Sequence, residues 1–327
     1  MRRVASPMMA AIDGRAIDGS AGGPITVSTA RLIVPLLIAG LLWTAGAAAG
    51  PRTASGAVVY SRGTPMILHS VTLADLKENT HGVCTAGFTF VIKNAAGPNN
   101  AVNFLDAAQR CNLKVIYHFG DTVDESTGTV YPSRVPYWVD LVKAHPALWG
   151  YLSVKEPSWT GVSGSEIQSL YRAFKAADPK HPVLALFGDI PHFGESVNPY
   201  TAGMADVVMV DWYPVETTNG SDTIYLSDGP KWFAKVKSVV EAKTPGRPTW
   251  LEVQTFKYLG TPTHKKQRPS QSLLWRQVRD GFNYLKASGI AFQVWKNTAY
   301  DTDQLRDRQM FTWMKTLKSE VRAGTFQ

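Results

Sequence analysis

Eight strand-like runs alternate with helical segments along most of this chain, and this pattern restricts the fold more than any other feature. The runs are short, apolar and rich in β-branched and aromatic residues. They read MILHSVTL (66–73), TAGFTFVI (85–92), KVIYHF (114–119), WGYLSV (149–154), PVLALFGD (182–189), DVVMVDWYP (206–214), PTWLEVQTF (248–256) and IAFQVWKN (290–297). Strands separated by helices pair in parallel through right-handed crossovers, so the sequence predicts a single-domain (β/α)8 TIM barrel. A doubly wound open sheet is the alternative, although no glycine-rich phosphate loop follows any of the runs.

Helix signals fill most gaps between the strands. Ser163 and Glu166 have the spacing of a capping box, and apolar residues at helical spacing follow until Asp178 and Pro179. Further helices are predicted at residues 99–110, 134–144, 230–243, 270–287 and 302–321.

The first fifty residues have the features of a targeting segment. Arg31 precedes the uncharged run LIVPLLIAGLLWTAGAAAG, which ends in small residues. The run is also long enough to span a bilayer. We therefore expect residues 1–50 to be a cleaved signal peptide or a retained membrane anchor, 51–60 a linker and 61–323 the barrel. The protein would be secreted or held at the cell surface, with membrane contact only if the anchor is retained.

If the protein is exported, its two cysteines are candidates for a disulfide. Cys84 and Cys111 each stand just before a predicted strand, and the two strands are consecutive. In an oxidising compartment they could form a disulfide, and two free buried thiols are the other reading. Neither their spacing nor their neighbours suggest metal ligands or a catalytic thiol.

Charge and motifs argue against several classes of function. The net charge is +8, but the only dense basic cluster is KKQR (265–268), which we interpret as a solvated loop and not a nucleic-acid contact. The seven histidines are scattered, without an H-E-x-x-H motif, and no G-x-S-x-G motif marks a serine hydrolase. We expect a monomer that needs no metal or other cofactor.

The fourth predicted strand ends in a carboxylate, Glu156, beside Pro157. An unpaired carboxylate is costly to bury, so its position needs a reason. Glu156 either caps the next element or belongs to a site, because active sites of TIM barrels lie at the carboxyl ends of the strands. Strand alternation would place Leu152 and Val154 on its face.

Three segments together resemble a clan of retaining glycoside hydrolases that includes cellulases, mannanases and β-galactosidases. They are WGYLSVKEP (149–157), DWYP (211–214) and Trp295 at the end of the eighth strand. The chain is also similar to poorly characterised bacterial members with an Asp-Glu-Pro motif. The resemblance covers the whole barrel in strand order. It implies a carbohydrate substrate, Glu156 as general acid and base, and Tyr213 in contact with a carboxylate nucleophile near the end of strand seven.

The seventh strand leaves the identity of that second carboxylate open. Glu252 and Gln254 share one face, and only one of them can occupy the attacking position. Glu252 would pair with Glu156 in a retaining glycosidase, whereas an amide at that position could not attack. Asp211 is then the candidate partner, at the wider separation of inverting enzymes.

Other residues at the expected mouth fit a sugar site. Trp295, Trp212, Trp159 and Tyr213 have flat rings that could stack on pyranoses, and His118, Asp121 and His69 lie near the ends of strands three and one. A structural role is the other interpretation of both histidines. Lys155 departs from the Asn or Asp of the clan, and is either a rim lysine paired with a loop or an inward-facing recognition group. A non-catalytic glycan-binding barrel is therefore the alternative to a hydrolase.

Overall fold

The computed structural model describes residues 64–78, 82–94, 97–218, 221–224, 227–256, 258–261, 264–266, 268–293 and 308–323. Within them, eight parallel strands form a closed barrel. The strands are β1 (Met66–His69), β2 (Phe90–Asn94), β3 (Lys114–His118), β4 (Leu148–Lys155), β5 (Val183–Phe187), β6 (Val207–Trp212), β7 (Thr249–Gln254) and β8 (Gly289–Gln293). Met66 of β1 pairs with Ile290 of β8, which closes the ring. The (β/α)8 prediction is confirmed, and the open sheet is excluded.

Helices follow most of the strands. They are α1 (Leu73–Lys77), α2 (Pro98–Arg110), α3 (Val135–Val142), α4 (Pro157–Thr160), α5 (Gly164–Ala177), α6 (Gly229–Lys243), α7 (Gln271–Asp280) and α8 (Arg308–Ala323). Ser163 and Glu166 form the predicted capping box at the start of α5. The helix predicted over 270–287 is interrupted, because a π-helical turn, Gly281–Leu285, follows α7.

Two apolar layers make up the core. The outer layer lies between the strands and the helices, and the inner layer fills the barrel. The inner layer consists of Ile67, Phe90, Ile92, Ile116, Leu152, Leu184, Leu186, Val207, Met209, Trp250 and Ala291, with Trp149 packed against it. Trp149 stacks on Trp250 with ring centroids 5.1 Å apart. The barrel interior is therefore a packed floor on which a site at the carboxyl ends can be built.

One extra residue in β4 changes the direction of the side chains that follow. The register with β5 shifts between Leu152 and Val154, so Ser153 has no partner there and forms a bulge. Its buried hydroxyl donates to a backbone carbonyl of β5. Leu152 belongs to the inner layer and Val154 to the outer one, while Lys155 lies opposite the inner residue Leu186. The expectation that Leu152 and Val154 share a face is wrong, and Lys155 faces the interior.

Two small sheets are built from segments that follow barrel strands. Val123–Asp124 pairs with Thr129–Val130 after β3. Val215–Thr218, Ser221–Ile224, Tyr258–Thr261 and His264–Lys266, which follow β6 and β7, form a four-stranded antiparallel sheet. Two lysines of the KKQR cluster thus lie in a strand and not in the loop predicted for them.

A disulfide joins Cys84, in the segment between β1 and β2, to Cys111 at the end of α2. Their Cα atoms are 4.7 Å apart, and 27 residues separate them in the sequence. The bond ties the chain before β2 to the helix that follows it.

Replacing both cysteines with serine is expected to lower the free energy of unfolding by about 3–4 kcal/mol, because the unfolded chain regains the freedom of a closed loop. Chemical denaturation of the oxidised protein and of the double variant measures the difference. Reduction of the wild-type protein should produce a similar loss, while the double variant should not respond to reductant. Equal stability of the oxidised protein and the variant would contradict the expectation.

Several predicted features lie outside the described residues. They are the leader at 1–50, the linker at 51–60 and the stacking residue Trp295. In the part of the chain that the structure describes, no helix has both the length and the apolar character needed to cross a bilayer.

Candidate active site

A buried polar layer covers the apolar floor at the carboxyl ends of the strands. It includes His69 of β1, His118 of β3, Asp211 of β6 and Glu252 of β7, all of them buried. Strand alternation places them there, since the residues two positions earlier belong to the inner layer: Ile67, Ile116, Met209 and Trp250. Charged groups at this depth require partners.

Glu252 has a partner on each carboxylate oxygen. The Tyr213 hydroxyl donates to Oε1 at 2.6 Å, and His69 Nδ1 lies 2.6 Å from Oε2. Desolvation raises the pKa of Tyr213 well above its ordinary value, and the charge of Glu252 adds to this, so the hydroxyl remains a donor. Short contacts on both oxygens fix the orientation of the Glu252 carboxylate.

Glu156 directly follows β4 in a left-handed backbone conformation, with φ 44° and ψ 58°. Such a conformation costs about 1–3 kcal/mol for a residue with a side chain, and it persists where the surroundings enforce it. Here the backbone N–H of Glu156 donates to the carbonyl of Leu186 at 2.7 Å. Glu156 stands at the start of α4, but its side chain does not cap the helix. Glu156 therefore occupies the N-cap position through its backbone, and its carboxyl makes no capping hydrogen bond.

The half-buried carboxyl of Glu156 lies among other charged groups of the mouth. Desolvation raises the pKa of Glu156, and the negative charge of Glu252 raises it further. A hydrogen bond with Asp211 and the positive charge of Lys155 lower the pKa. The net result is a pKa above the ordinary value, which suits a proton donor near neutral pH.

Gly188, just after β5, allows the Glu156 side chain to approach the barrel wall. A Cβ atom at Gly188 would lie 3.1 Å from Glu156 Oε1 and 3.1 Å from Trp159 Nε1. Trp159 itself is 70% exposed on α4, next to the acid. The structure thus places an open aromatic face beside Glu156.

Lys155 pairs with Glu125, a residue that the sequence analysis did not predict for the site. Its Nζ lies 3.1 Å from Oε1 of Glu125, in the segment after β3, and His118 Nε2 lies 3.3 Å from the same oxygen. Burial alone would raise the pKa of Glu125, but the hydrogen bond from His118 and the charge of Lys155 outweigh it and lower the pKa to about 2. Lys155 is thus both inward-facing and paired with a neighbouring segment.

Two predicted binding residues, Trp212 and Asp121, have other roles or positions. Trp212 lies on the outer face of β6 and packs edge-on against Phe233 of α6, because alternation from the inward Asp211 turns it outward. Asp121 is exposed, and its backbone carbonyl accepts a hydrogen bond from Arg134.

Gln254 braces the backbone instead of offering its amide to a ligand. Its Oε1 accepts from the N–H of Val215 at 3.0 Å, and its Nε2 donates to the carbonyls of Val215 and Phe256. The amide therefore holds the segment after β6. Glu252 is the carboxylate that β7 presents to the mouth.

Across the described ranges, no group of three or more His, Cys, Asp or Glu residues is arranged to hold a metal ion.

Several solved structures with a similar fold are described as glycoside hydrolases. A Bacteroides thetaiotaomicron protein provisionally assigned as an α-L-fucosidase has a TM-score of 0.55 at 10% identity, covering 87% of this chain and 99% of its own. A β-galactosidase from the psychrophilic Marinomonas ef1 also gives 0.55 at 10% identity, covering 79% of this chain and 59% of its own. GH5_18 from Streptomyces cattleya, in complex with GlcNAc, gives 0.50 at 11% identity, covering 71% of each chain. The chain has the fold of these glycoside hydrolases.

At these identities the similarity shows the fold alone. No protein-family model matches the sequence, and no curated protein matches it.

Proposed function

We propose that this chain is an exported glycoside hydrolase that cleaves O-glycosidic bonds in an oligo- or polysaccharide. The supporting observation is the arrangement of two unlike carboxyls in one polar layer. Glu252 is held on both oxygens, as a nucleophile needs, while desolvation raises the pKa of Glu156, as a proton donor needs. This division of roles is the one that retaining glycosidases use.

In the first step Glu156 donates its proton to the leaving glycosidic oxygen, while Glu252 attacks the anomeric carbon. The C–O bond to the leaving group breaks, and an ester between the sugar and Glu252 forms. In the second step the ionised Glu156 takes a proton from water, which attacks the anomeric carbon and releases Glu252. Tyr213 and His69 orient Glu252 through both steps.

The substrate class follows from the surroundings of the two carboxyls. The exposed ring of Trp159 offers a flat surface for a pyranose beside Glu156. Trp295 keeps its proposed stacking role as an expectation from the sequence. A glycan-binding barrel without turnover is the second candidate, favoured by Lys155, whose ammonium opposes proton donation by its neighbour.

Hydrolysis of a panel of polysaccharides and 4-nitrophenyl glycosides, with the product anomer followed by NMR, tests the proposal. We expect turnover with retention of configuration. Binding without turnover would support the glycan-binding candidate, and inversion would contradict Glu252 as the nucleophile.

Export is proposed from the leader alone. A basic residue followed by an apolar run and small residues supports either cleavage or anchoring. N-terminal sequencing of the protein recovered from culture fluid and from membranes separates the two, and a cytoplasmic protein with an intact leader would contradict both.

Replacing Gly188 with alanine is expected to lower kcat by roughly 100-fold, since even a small displacement of a catalytic group is costly. The new Cβ would press on Glu156 Oε1 and Trp159 Nε1. Steady-state kinetics and thermal melting check this. Gly120 is a suitable control, because a Cβ there meets open space. Unchanged kcat in the Gly188→Ala variant would show that the acid does not depend on this close approach.

A further inference from the structure

The pair formed by Lys155 and Glu125 has hydrogen-bonding capacity that the protein leaves unused. Glu125 Oε1 takes both contacts, from Lys155 Nζ at 3.1 Å and from His118 Nε2 at 3.3 Å. Within the described residues, Glu125 Oε2 has no hydrogen-bond partner, and Lys155, with three N–H donors, contacts only Glu125. The side chains of Lys155 and Glu125 are 13% and 21% exposed, so a ligand at the mouth can reach them.

The surroundings hold this pair in place before any ligand binds. His118 Nδ1 lies 2.9 Å from the carbonyl of Leu152, and its Nε2 faces Glu125. These two contacts fix the orientation of the ring beside Glu125. The Ser153 bulge turns Lys155 inward. Lys155 and His118 therefore both contact one oxygen of Glu125 and leave the other for a further donor.

We propose that Lys155 and Glu125 bind two adjacent hydroxyls of the sugar ring that lies beside Glu156. This inference rests on the proposed function and names its substrate class: a sugar with a free vicinal diol on that ring. One hydroxyl donates to Glu125 Oε2, and its neighbour accepts from Lys155. A hydroxyl can do either, whereas a carboxylate or sulfate in this place would meet the charge of Glu125.

Both contacts involve a charged partner, so each hydroxyl should contribute strongly to affinity. Loss of a hydrogen bond to a charged group lowers affinity by about 10- to 100-fold. A site built for a hydroxyl also rejects an analogue that lacks it, because its own polar groups are then left unpaired. Lys155 and Glu125 would thus determine which sugars are accepted, and Glu156 would perform the chemistry.

The test measures binding in a Glu252→Gln background, which cannot form the covalent ester, so that no turnover of the aryl glycosides occurs. The probes are the 4-nitrophenyl α- and β-glycosides of glucose, galactose, mannose and fucose, together with the 2-, 3- and 4-deoxy forms of whichever binds best. Isothermal titration is carried out on this background and with Lys155→Gln or Glu125→Gln added. Lys143→Gln is the control, because Lys143 forms an exposed pair with Asp140 on the outer surface of the barrel.

We expect the background protein to prefer the parent glycoside by about 10- to 100-fold over two of its neighbouring deoxy forms. Lys155→Gln should abolish the preference at one position and Glu125→Gln at the adjacent one, while Lys143→Gln should change neither. A merely structural role would weaken the parent and deoxy sugars equally, and that result would overturn the inference. Circular dichroism and melting temperatures identify a variant that fails to fold, and the other variant then decides the outcome.

The two proposals fail in different ways. Turnover or binding of glycosides without a loss of deoxy discrimination in either variant would overturn the diol assignment and leave the hydrolase proposal standing. Binding and turnover of none of the glycosides or polysaccharides would contradict both.

Discussion

Replacing Glu252 with glutamine is expected to lower kcat for glycoside hydrolysis by more than about 10⁴-fold, the upper range for losing an acid–base group alone. An amide cannot form the covalent ester, and it removes the negative charge next to the developing positive charge at the anomeric carbon. Glutamine keeps the volume of the side chain and an oxygen that can accept from Tyr213. The fold should therefore survive, and thermal melting checks this.

A covalent adduct gives a more specific measurement than the rate alone. A 2-deoxy-2-fluoro glycoside with a good leaving group should label the wild-type protein by one sugar mass, on the peptide that contains Glu252. The Glu252→Gln variant should not be labelled. Glu241→Gln, in an exposed pair with Lys237 on α6, is the matched control and should retain activity. Labelling of Asp211 instead would assign the attack to the other carboxylate.

Replacing Glu156 with glutamine is expected to lower kcat/KM on unactivated glycans by about 10²–10⁴-fold. These leaving groups depend on a proton from Glu156, whereas a nitrophenolate leaves without one, so the first step on aryl glycosides should suffer less. Comparing both substrate types in wild type and variant measures the difference. Equal losses on both would indicate that Glu156 supports the structure and does not donate the proton.

The pH profile provides a second readout for Glu156. Desolvation raises its pKa, so the protonated acid persists to higher pH than an ordinary Glu, and activity falls as pH rises through that pKa. The Glu156→Gln variant has no proton to lose and should lack this alkaline limb. Glu195→Gln, at an exposed ion pair with Lys235, should keep the wild-type profile. An alkaline limb that survives in the Glu156→Gln variant would assign the limb to another group.

The sequence predicted the barrel well because its signals were local and repeated. Each barrel strand is short, apolar and bounded by turn residues. The capping box at Ser163 marks the start of α5. Strand order then follows from the handedness of the crossovers. Helix ends were harder to predict, as the π-helical turn Gly281–Leu285 shows, because its local sequence is compatible with a continuous helix.

Site residues were predictable only where simple alternation holds. Alternation places Asp211 and Glu252 inward. It also turns Trp212 outward, against the stacking role predicted for that residue. It failed in β4, since nothing in the letters LSVKE marks Ser153 as a bulge or Glu156 as left-handed. Both depend on long-range packing against β5.

Glu125 was missed for a similar reason. It lies in a polar segment with other acidic residues, and its place beside Lys155 depends on how the chain returns after β3. Contacts between distant loops are set by the assembled barrel and leave no local pattern in the sequence.

The extra residue Ser153 reverses the alternation of inward and outward side chains in the second half of β4. At Leu152 even-numbered residues face the interior, and at Lys155 odd-numbered residues do. Deleting Ser153 would extend the alternation of Leu152 to the end of β4 and exchange the group offered to a sugar. A barrel of this kind can thus change what it recognises through a length change of one residue, with no substitution at the opening.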